Sequence, residues 1–420
     1  MRDIGDLLIC NQIINKAKGD FYTDIITNNS SDSKKLWKEL NNVLHRKPEN
    51  TLPDSKDEWS LANSFSSFFT DKITKIHNSF TDLSPDDTSP DEAPSTFQVF
   101  TPVTENQVLQ MINASPTKSC MLDPWPTFLL KEFVDILLPT ITRLINYSMS
   151  EGLVPSGFKK ALITPLLKKS SLSKEDFKNY RPVSNLGFIS KLVERAVASQ
   201  IKHRLNKNNL INPFQSAYKP GHSTETALLC IKNDIHMSLA EGMPTALVLL
   251  DLSAAFDTIS HDILLNRLSS WFGFGGSVLK WFVSYLSNRA QSVKVGNSLS
   301  DPALLISGVP QGSVLGPALF SLYTTPLSRI ISSHKIIKYH FYADDTQIYI
   351  QLTPSNCDSA IISLQKCLLD VERWMYRNKL KLNPEKTEFI VFGKKSQRDL
   401  LSHCFWEIKY ALLIRFVTYV

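Results

Sequence analysis

Hydrophobic and polar positions divide the chain into three regions. In residues 1–80 apolar side chains recur at helical spacing between polar ones, which predicts a helical, polar spacer. Residues 81–102 hold four prolines and five acidic residues without a basic one, so this segment is predicted to be an acidic, proline-rich linker. From 103 to 395 apolar segments are dense, and we expect the main globular domain there.

Strand-like and helix-like segments alternate within this apolar region. Thr245–Leu250 is a short continuous apolar run, typical of a buried strand, and Ser253–Leu268 follows with a helix-like pattern. Lys335–Leu352 predicts a β-hairpin, because it is rich in Ile, Tyr and Phe around a short polar turn. An amphipathic helix at 359–377 and a strand at 387–392 come next. This order predicts an α+β domain with helices behind an antiparallel sheet.

Three aspartates stand at the ends of these predicted strands. Asp251 directly follows the first apolar run, and Asp344 and Asp345 occupy the hairpin tip. Carboxylate oxygens are the ligands that Mg²⁺ prefers, and two such ions can bind the attacking and leaving oxygens of a phosphoryl transfer. Each piece alone also fits an ordinary role, a helix N-cap for Asp251 and turn chemistry for the pair. The neighbouring motifs favour the metal-binding interpretation.

A glycine-rich segment lies between the two groups of aspartates. Residues 307–317 (SGVPQGSVLGP) carry three glycines and two prolines before a helix-like run. Glycine lets the backbone approach a ligand closely, and a helix start presents free N–H groups to anions. The segment is not a P-loop, because no lysine follows the glycines in the required position. The sequence WFGFGGSV at 271–278 likewise does not complete a dinucleotide-binding motif.

Charge and cysteine content narrow the class of protein further. The 420 residues carry a net charge of +6, and 13 Lys/Arg against 3 Asp/Glu lie between Lys159 and Pro220. Such clustering is typical of nucleic-acid binding and also of a solvated basic face. The six cysteines form no C-x-x-C pair, so neither a zinc site nor a disulfide framework is predicted. Without a signal peptide or a long apolar run, we expect an intracellular protein, nuclear or cytoplasmic, that is neither secreted nor bound to membranes.

Several segments resemble the motifs of reverse transcriptases, most closely those of non-LTR (LINE-type) retrotransposons. Motifs A, B and C correspond to LLDLSAAFDTISH, SGVPQGSVLGP and FYADD, in this order and spacing. The segments at 178–197 (KNYRPVSNLGFISKLVERAV) and 378–392 (NKLKLNPEKTEFIVF) resemble the finger motif and motif D. Residues 118–133 resemble the segment that precedes the fingers. Together, the resemblance covers roughly 105–395.

The resemblance implies a right-hand polymerase fold. Fingers and palm would occupy 103–395, with an antiparallel palm sheet backed by helices. Family members carry a helical thumb after the palm, whereas residues 396–420 do not resemble that continuation. We therefore expect a chain truncated after the palm, with an aberrant tail and the thumb largely missing.

The resemblance also implies roles for the candidate metal ligands and their neighbours. Asp251 and Asp344 would bind the metal, with Asp345 as a third carboxylate beside them. Two Mg²⁺ ions are implied, with Mn²⁺ as an alternative. Phe256 would be the aromatic gate that excludes a ribose 2′-OH, and Lys386 would donate a proton to the leaving pyrophosphate. Phe256 and Lys386 also fit ordinary roles as a core residue and a surface residue.

Further residues would bind the substrate by the same resemblance. Gln311 and Gly312 would touch the incoming nucleotide and the template base. Arg181 and Lys168 would grip the triphosphate, since arginine donates in pairs to phosphate oxygens.

Three functions remain open at this point. The first is an RNA-directed DNA polymerase, which would use two-metal nucleotidyl transfer from a dNTP to a primer 3′-OH, with an RNA template and a DNA primer as partners. The second is a catalytically inactive, nucleic-acid-binding remnant of a retrotransposon. The third is an RNA-templated RNA polymerase, because Asp251 and Asp257 suit the spaced acidic pair of that family. Phe256 and the alanine before Asp344 favour DNA synthesis over this third function.

Overall fold

The structure, a computed structural model, describes most of the chain. The described residues are 2–29, 36–37, 39–41, 44, 51–55, 57–80, 95–353, 355–394 and 415–416, with the backbone alone for 2–12 and 415–416. They divide into a smaller unit, Met1–Asp54 with Ser170–Glu175, and a larger unit, Ser55–Lys169 with Asp176–Val420. The main element of the smaller unit is helix α1 (Arg2–Asn29). Every candidate site residue belongs to the larger unit.

The larger unit combines helices and strands. Its described α-helices are α2 (Glu58–Asn78), α3 (Glu105–Asn113), α4 (Thr127–Glu132), α5 (Val134–Glu151), α6 (Phe188–Lys207), α7 (Thr224–Ala240), α8 (His261–Phe272), α9 (Gly276–Leu286), α10 (Gly316–Thr324), α11 (Leu327–Ser332) and α12 (Cys357–Arg377). Its described strands are β1 (Lys160–Leu167), β2 (Tyr180–Asn185), β3 (Thr245–Leu250), β4 (Leu252–Ser253), β5 (Arg289–Val295), β6 (Ser298–Leu299), β7 (Ala303–Leu305), β8 (Lys338–Tyr342), β9 (Asp345–Gln351), β10 (Lys381–Leu382), β11 (Glu388–Phe392) and β12 (Arg415–Phe416).

A central sheet of order β12-β11-β3-β9-β8 carries the predicted aspartates. Strand β3 pairs antiparallel with β9 and β11, and β8 pairs antiparallel with β9 to form the predicted hairpin. The edge pair β11–β12 is parallel, so the sheet is mixed rather than wholly antiparallel. A second sheet has the order β2-β1-β5-β6, with β7 also on β5 and with β1 parallel to β5. The α+β prediction is confirmed.

The central sheet is covered on both faces, which explains the continuous apolar sequence of β3. Val248 and Leu250 point into the main hydrophobic core. Leu247 points to the opposite face, where it packs with Ile231 and Ile235 of α7. Successive side chains of a strand point to opposite faces, so a strand that is buried on both sides is apolar at every position.

The helix predicted at Ser253–Leu268 begins only at His261. Ala254 has a left-handed backbone with φ 55°, and the Asp257 N–H donates to its carbonyl at 2.9 Å, which closes a turn. The Val309 N–H donates to the Phe256 carbonyl, also at 2.9 Å, and so takes an acceptor that a helix would use. The prediction that Phe256 lies on the first turn of a helix was therefore wrong.

Helix α2 packs into the larger unit, although its sequence lies within the predicted spacer. Its Phe65 is fully buried and stacks on Phe177 with ring centroids 4.3 Å apart. Phe100, within the predicted linker, is also buried in the main core. The compact unit thus begins N-terminal to residue 103, because these aromatic side chains bury their rings against it.

The remaining predicted boundaries fall largely outside the described residues. This holds for 81–94 of the linker and for 395–414 and 417–420 of the tail. The division into spacer, linker, polymerase region and tail stays a prediction.

Candidate active site

An open cavity of about 630 Å³ lies where the central sheet, strand β2 and the loop 307–315 meet. All the candidate site residues line it, although they are far apart in the sequence. They are Lys168, Arg181, Asp251, Phe256, Gln311, Gly312, Asp344, Asp345 and Lys386.

The sheet register brings the three candidate carboxylates to one end of the central sheet. Leu250 is the partner of Thr346, so Asp251 and Asp345, the next residues along the two strands, lie at the same end of the sheet. Asp344 sits in the turn of the hairpin beside Ala343, whose left-handed φ of 56° permits a tight reversal. Because β3 and β9 are neighbours, residues about ninety positions apart share one wall of the cavity.

The carboxylates interact electrostatically. Burial raises the pKa of Asp345 to about 6, and the charges of Asp344 and Asp251 add to this effect. Burial also raises the pKa of Asp344, helped by Asp251 and opposed by its own backbone N–H, Lys386 and Arg181. Like charges held near one another disfavour ionisation, and a bound cation relieves that repulsion.

Lys386 and Asn383 hold the Asp251 carboxylate. The Lys386 Nζ lies 3.1 Å from Asp251 Oδ2, and the Asn383 side-chain amide donates to the same oxygen at 3.2 Å. The Asn383 backbone N–H also donates to the Asp251 carbonyl at 2.9 Å. Sequence reasoning missed Asn383, although it opens the NPEK turn that presents Lys386.

The donor chemistry of the cavity fits Mg²⁺, because the three candidate carboxylates line it and two of these three have raised pKa values. As the side chains stand, however, the described residues contain no group of three or more His, Cys, Asp or Glu that could hold a metal ion. The Lys386 ammonium instead neutralises Asp251. The assignment of the metal ligands stays a prediction.

The loop 307–312 is held tightly against β2 and the turn after β3. Gly312 has φ 122°, and a Cβ at this position would lie 2.4 Å from the Ser184 carbonyl oxygen, so a side chain does not fit. The Ser184 N–H donates to the Gln311 carbonyl at 2.8 Å. The Gln311 side-chain amide donates to Asp257 Oδ2 at 3.0 Å. These bonds fix the two residues that were predicted to contact nucleotide and template.

A buried carboxylate accepts two backbone hydrogen bonds from the residues that follow this loop. Glu194 of α6 is 1% exposed, and its Oε2 accepts the N–H groups of Val314 at 2.7 Å and Leu315 at 3.1 Å. Burial raises the pKa of Glu194, whereas nearby Arg289 lowers it. Sequence reasoning missed this residue, whose only signal is a lone acid on an otherwise apolar helix face.

Phe256 has one side in the core and another in the cavity. Its ring stacks on the fully buried Phe320 with centroids 4.9 Å apart, and the partly buried side chain lines the cavity. The core and gate interpretations therefore both have a contact that supports them.

Few of the clustered basic residues between Lys159 and Pro220 line the cavity. Of these 13 basic residues, only Lys168 and Arg181 line the cavity. Burial, followed by the charges of Lys72, Lys386 and Arg181, lowers the pKa of Lys168. The other eleven lie elsewhere. Five of them are on α6, where Arg204, for example, packs over the Phe97 ring at 5.3 Å.

Two further charged residues line the cavity that the sequence did not assign to the site. Lys72 comes from α2, which carries no recognised motif. Asp257 has a predicted role only in the third function, as part of the spaced acidic pair of an RNA polymerase. Burial raises its pKa to about 7, and the charge of Lys72 opposes this rise.

Comparison with known proteins agrees with these motifs. Residues 167–410 match the family model described as "Reverse transcriptase (RNA-dependent DNA polymerase)". The chain is 28% identical over 368 residues to "Probable RNA-directed DNA polymerase from transposon BS" of Drosophila melanogaster, an overlap that covers 84% of this chain and 40% of the relative. It is also 28% identical over 316 residues to "RNA-directed DNA polymerase from mobile element jockey" of the same species, covering 72% of this chain and 33% of that protein.

A third relative comes from a vertebrate. "Transposon TX1 uncharacterized 149 kDa protein" of Xenopus laevis is 30% identical over 227 residues, or 54% of this chain and 17% of the relative. The chain therefore spans less than half the length of each of these proteins.

Within the part of the chain that the structure describes, no helix has both the length and the hydrophobicity to cross a bilayer. The family match extends over more than half of the chain, which belongs to the reverse transcriptase (RNA-dependent DNA polymerase) family of non-LTR retrotransposons.

Proposed function

We propose that this chain carries the nucleotidyl-transfer site of an RNA-directed DNA polymerase, with fingers and palm within 103–395. The observation that supports this most directly is the convergence of the motif residues on one cavity, which carboxylates and cations line together. The second sheet with α6 would correspond to the fingers and the central sheet to the palm.

The acidic wall would hold two Mg²⁺ ions, or Mn²⁺, through Asp251, Asp344 and Asp345. When bound, such ions neutralise the negative charge that develops on the phosphoryl oxygens. Lys386 and Asn383 hold mainly Oδ2 of Asp251, so Oδ1 would be the oxygen offered to an ion. The Lys386 ammonium would protonate the leaving pyrophosphate, which is the role that the resemblance implies for it.

The remaining residues would bind and orient the substrate. Arg181 and Lys168 would hold the triphosphate of the incoming dNTP by charge-assisted hydrogen bonds. Gln311 and Gly312 would contact the nucleotide and the template base on the fixed loop. The Phe256 ring would lie where a ribose 2′-OH would otherwise fit, so that dNTPs are accepted.

Primer extension on an RNA template tests this function. We expect Asp251→Asn and Asp344→Asn to reduce dNTP incorporation at least about a hundredfold, because they remove charge that acts in the transition state. Binding of the primer–template should persist in both variants. Asp135→Asn on α5 is a matched control, because this exposed aspartate does not line the cavity.

Near-normal extension by both aspartate variants would disprove the assignment of the site. If the unaltered chain binds the primer–template but extends it with neither Mg²⁺ nor Mn²⁺, the inactive nucleic-acid-binding remnant is the better description.

A further inference from the structure

Helix α2 contributes a cation to the candidate active-site cavity from outside the segment that matches the family model. The family match begins at residue 167, whereas Lys72 of α2 lines the same cavity as Asp251 and Arg181. Its charge acts on two groups of the cavity. After burial, Lys72 is the largest cause of the lowered pKa of Lys168, and it opposes the rise that burial causes in the pKa of Asp257.

The position of Lys72 is fixed by contacts along the whole helix. At its start, Glu58 Oε2 accepts the Asn297 N–H at 3.0 Å. One turn later, Asn63 Oδ1 accepts the Asp301 N–H at 3.1 Å. Beyond the C-terminal end, the Phe80 ring packs on the edge of Tyr376 with centroids 5.1 Å apart. A helix anchored at both ends presents Lys72 to the cavity as a regular part of the fold.

Lys72 completes a group of four cations, with Lys168, Arg181 and Lys386. Lys386 pairs with Asp251, whereas for the other three no ion pair with an acidic side chain is seen among the described residues. Four aspartates line the same cavity, but these three cations remain able to bind a ligand that carries several negative charges. The cavity volume of about 630 Å³ is within the range typical of small-molecule sites.

We infer that Lys72 is a further phosphate-binding residue of this cavity, which contacts the triphosphate of the incoming nucleotide together with Lys168 and Arg181. This inference rests on the proposed function and extends it to a helix that the family motifs do not include. A competing explanation is that Lys72 only compensates the charge of the neighbouring Asp257.

Binding of inorganic tripolyphosphate to the full chain, measured by calorimetry, tests the inference without requiring catalysis. We expect Lys72→Gln to weaken this binding about tenfold, the effect of losing one charge-assisted hydrogen bond. Lys75→Gln is the matched control, since Lys75 is an exposed lysine of the same helix that does not line the cavity. It should bind tripolyphosphate as the unaltered chain does. In primer extension, Lys72→Gln should raise the KM for dNTP more than it lowers kcat, and Lys72→Arg should restore most of the affinity.

Asp257→Asn separates direct binding from charge compensation. If Lys72 contacts the phosphates, Lys72→Gln should weaken tripolyphosphate binding in the Asp257→Asn background as well. Disappearance of its effect in that background would overturn the inference, as would unchanged binding by Lys72→Gln or an equal loss with Lys75→Gln. A chain that binds tripolyphosphate through Lys72 but incorporates no dNTP would contradict the proposed function alone.

Discussion

Phe256 makes two kinds of contact whose effects can be measured separately. One face of its ring stacks on Phe320 at an interplanar angle of 30°, and the side chain also lines the candidate active-site cavity. Replacing it with Ala or Val should therefore lower stability and open the space beneath the sugar. The gate hypothesis requires the second effect, whereas a purely structural role produces only the first.

The expected loss of stability follows from the burial of this ring. A fully buried Phe→Ala change costs about 3–5 kcal/mol. Because Phe256 is only partly buried, we expect about 2 kcal/mol, of which roughly 0.5–1.5 kcal/mol comes from the aromatic pair. The melting temperature should then fall by several degrees while the fold persists.

The assay is the ratio of rNTP to dNTP incorporation on a primed RNA, measured together with the melting temperature. Phe256→Val should raise the ratio about tenfold or more, because the 2′-OH no longer meets the ring. Phe320→Leu is the matched control: Phe320 is fully buried and does not line the cavity, so this change weakens the stacking and leaves the space under the sugar almost unaltered.

The control should therefore lower the melting temperature with little effect on the ratio. If Phe256→Val loses stability but leaves the ratio unchanged, Phe256 is a core residue. The steric argument for synthesis of DNA rather than RNA would then fail.

Two further substitutions test the surroundings of the site. With its pKa raised by burial to about 7, Asp257 contributes stability that is present below about pH 4 and is lost as the pH rises through 7, up to about 4 kcal/mol. Asp257→Asn should therefore melt above the unaltered chain at pH 8, with a difference that shrinks toward pH 5; a difference independent of pH would contradict the raised pKa. Gly312→Ala should displace the loop and raise the KM for dNTP, because its Cβ would meet the Ser184 carbonyl. Gly221→Ala also places a side chain at a positive φ, here 71°, but without a neighbour within 4 Å, so an equal effect of both changes would assign the loss to backbone strain rather than to the close contact.

Local sequence patterns predicted the elements that carry the aspartates. The apolar run at Thr245–Leu250 forms β3, and the hairpin and α12 also lie where periodicity indicated. The start of α8 could not be predicted, because it depends on hydrogen bonds from the loop 307–309, about fifty residues away. Local periodicity contains no information about such a partner.

The residues of the candidate site also divide into those that local sequence predicts and those that depend on distant contacts. Residues to which the motifs assign a role could be named in advance, whereas Lys72 lies outside every motif. Asn383 and Glu194 lie within motifs that assign them no role, and only tertiary packing shows what they contact. The concentration of positive charge between Lys159 and Pro220 is a poor guide to the cavity, because only two of its 13 basic residues line it. Clustering along a chain becomes clustering in space only where the backbone directs those side chains to one face.

The packing of α2 has a consequence for how this protein can be divided for experiment. A fragment cut at residue 167, where the match to the family model begins, would lose the helix and expose the ring of Phe177 and the surface of β5 on which α2 lies. Newly exposed apolar surface of this kind promotes self-association. The segment that matches the family model is therefore shorter than the compact unit that contains it, and a fragment for experiment should start at or before Ser55, where the larger unit begins.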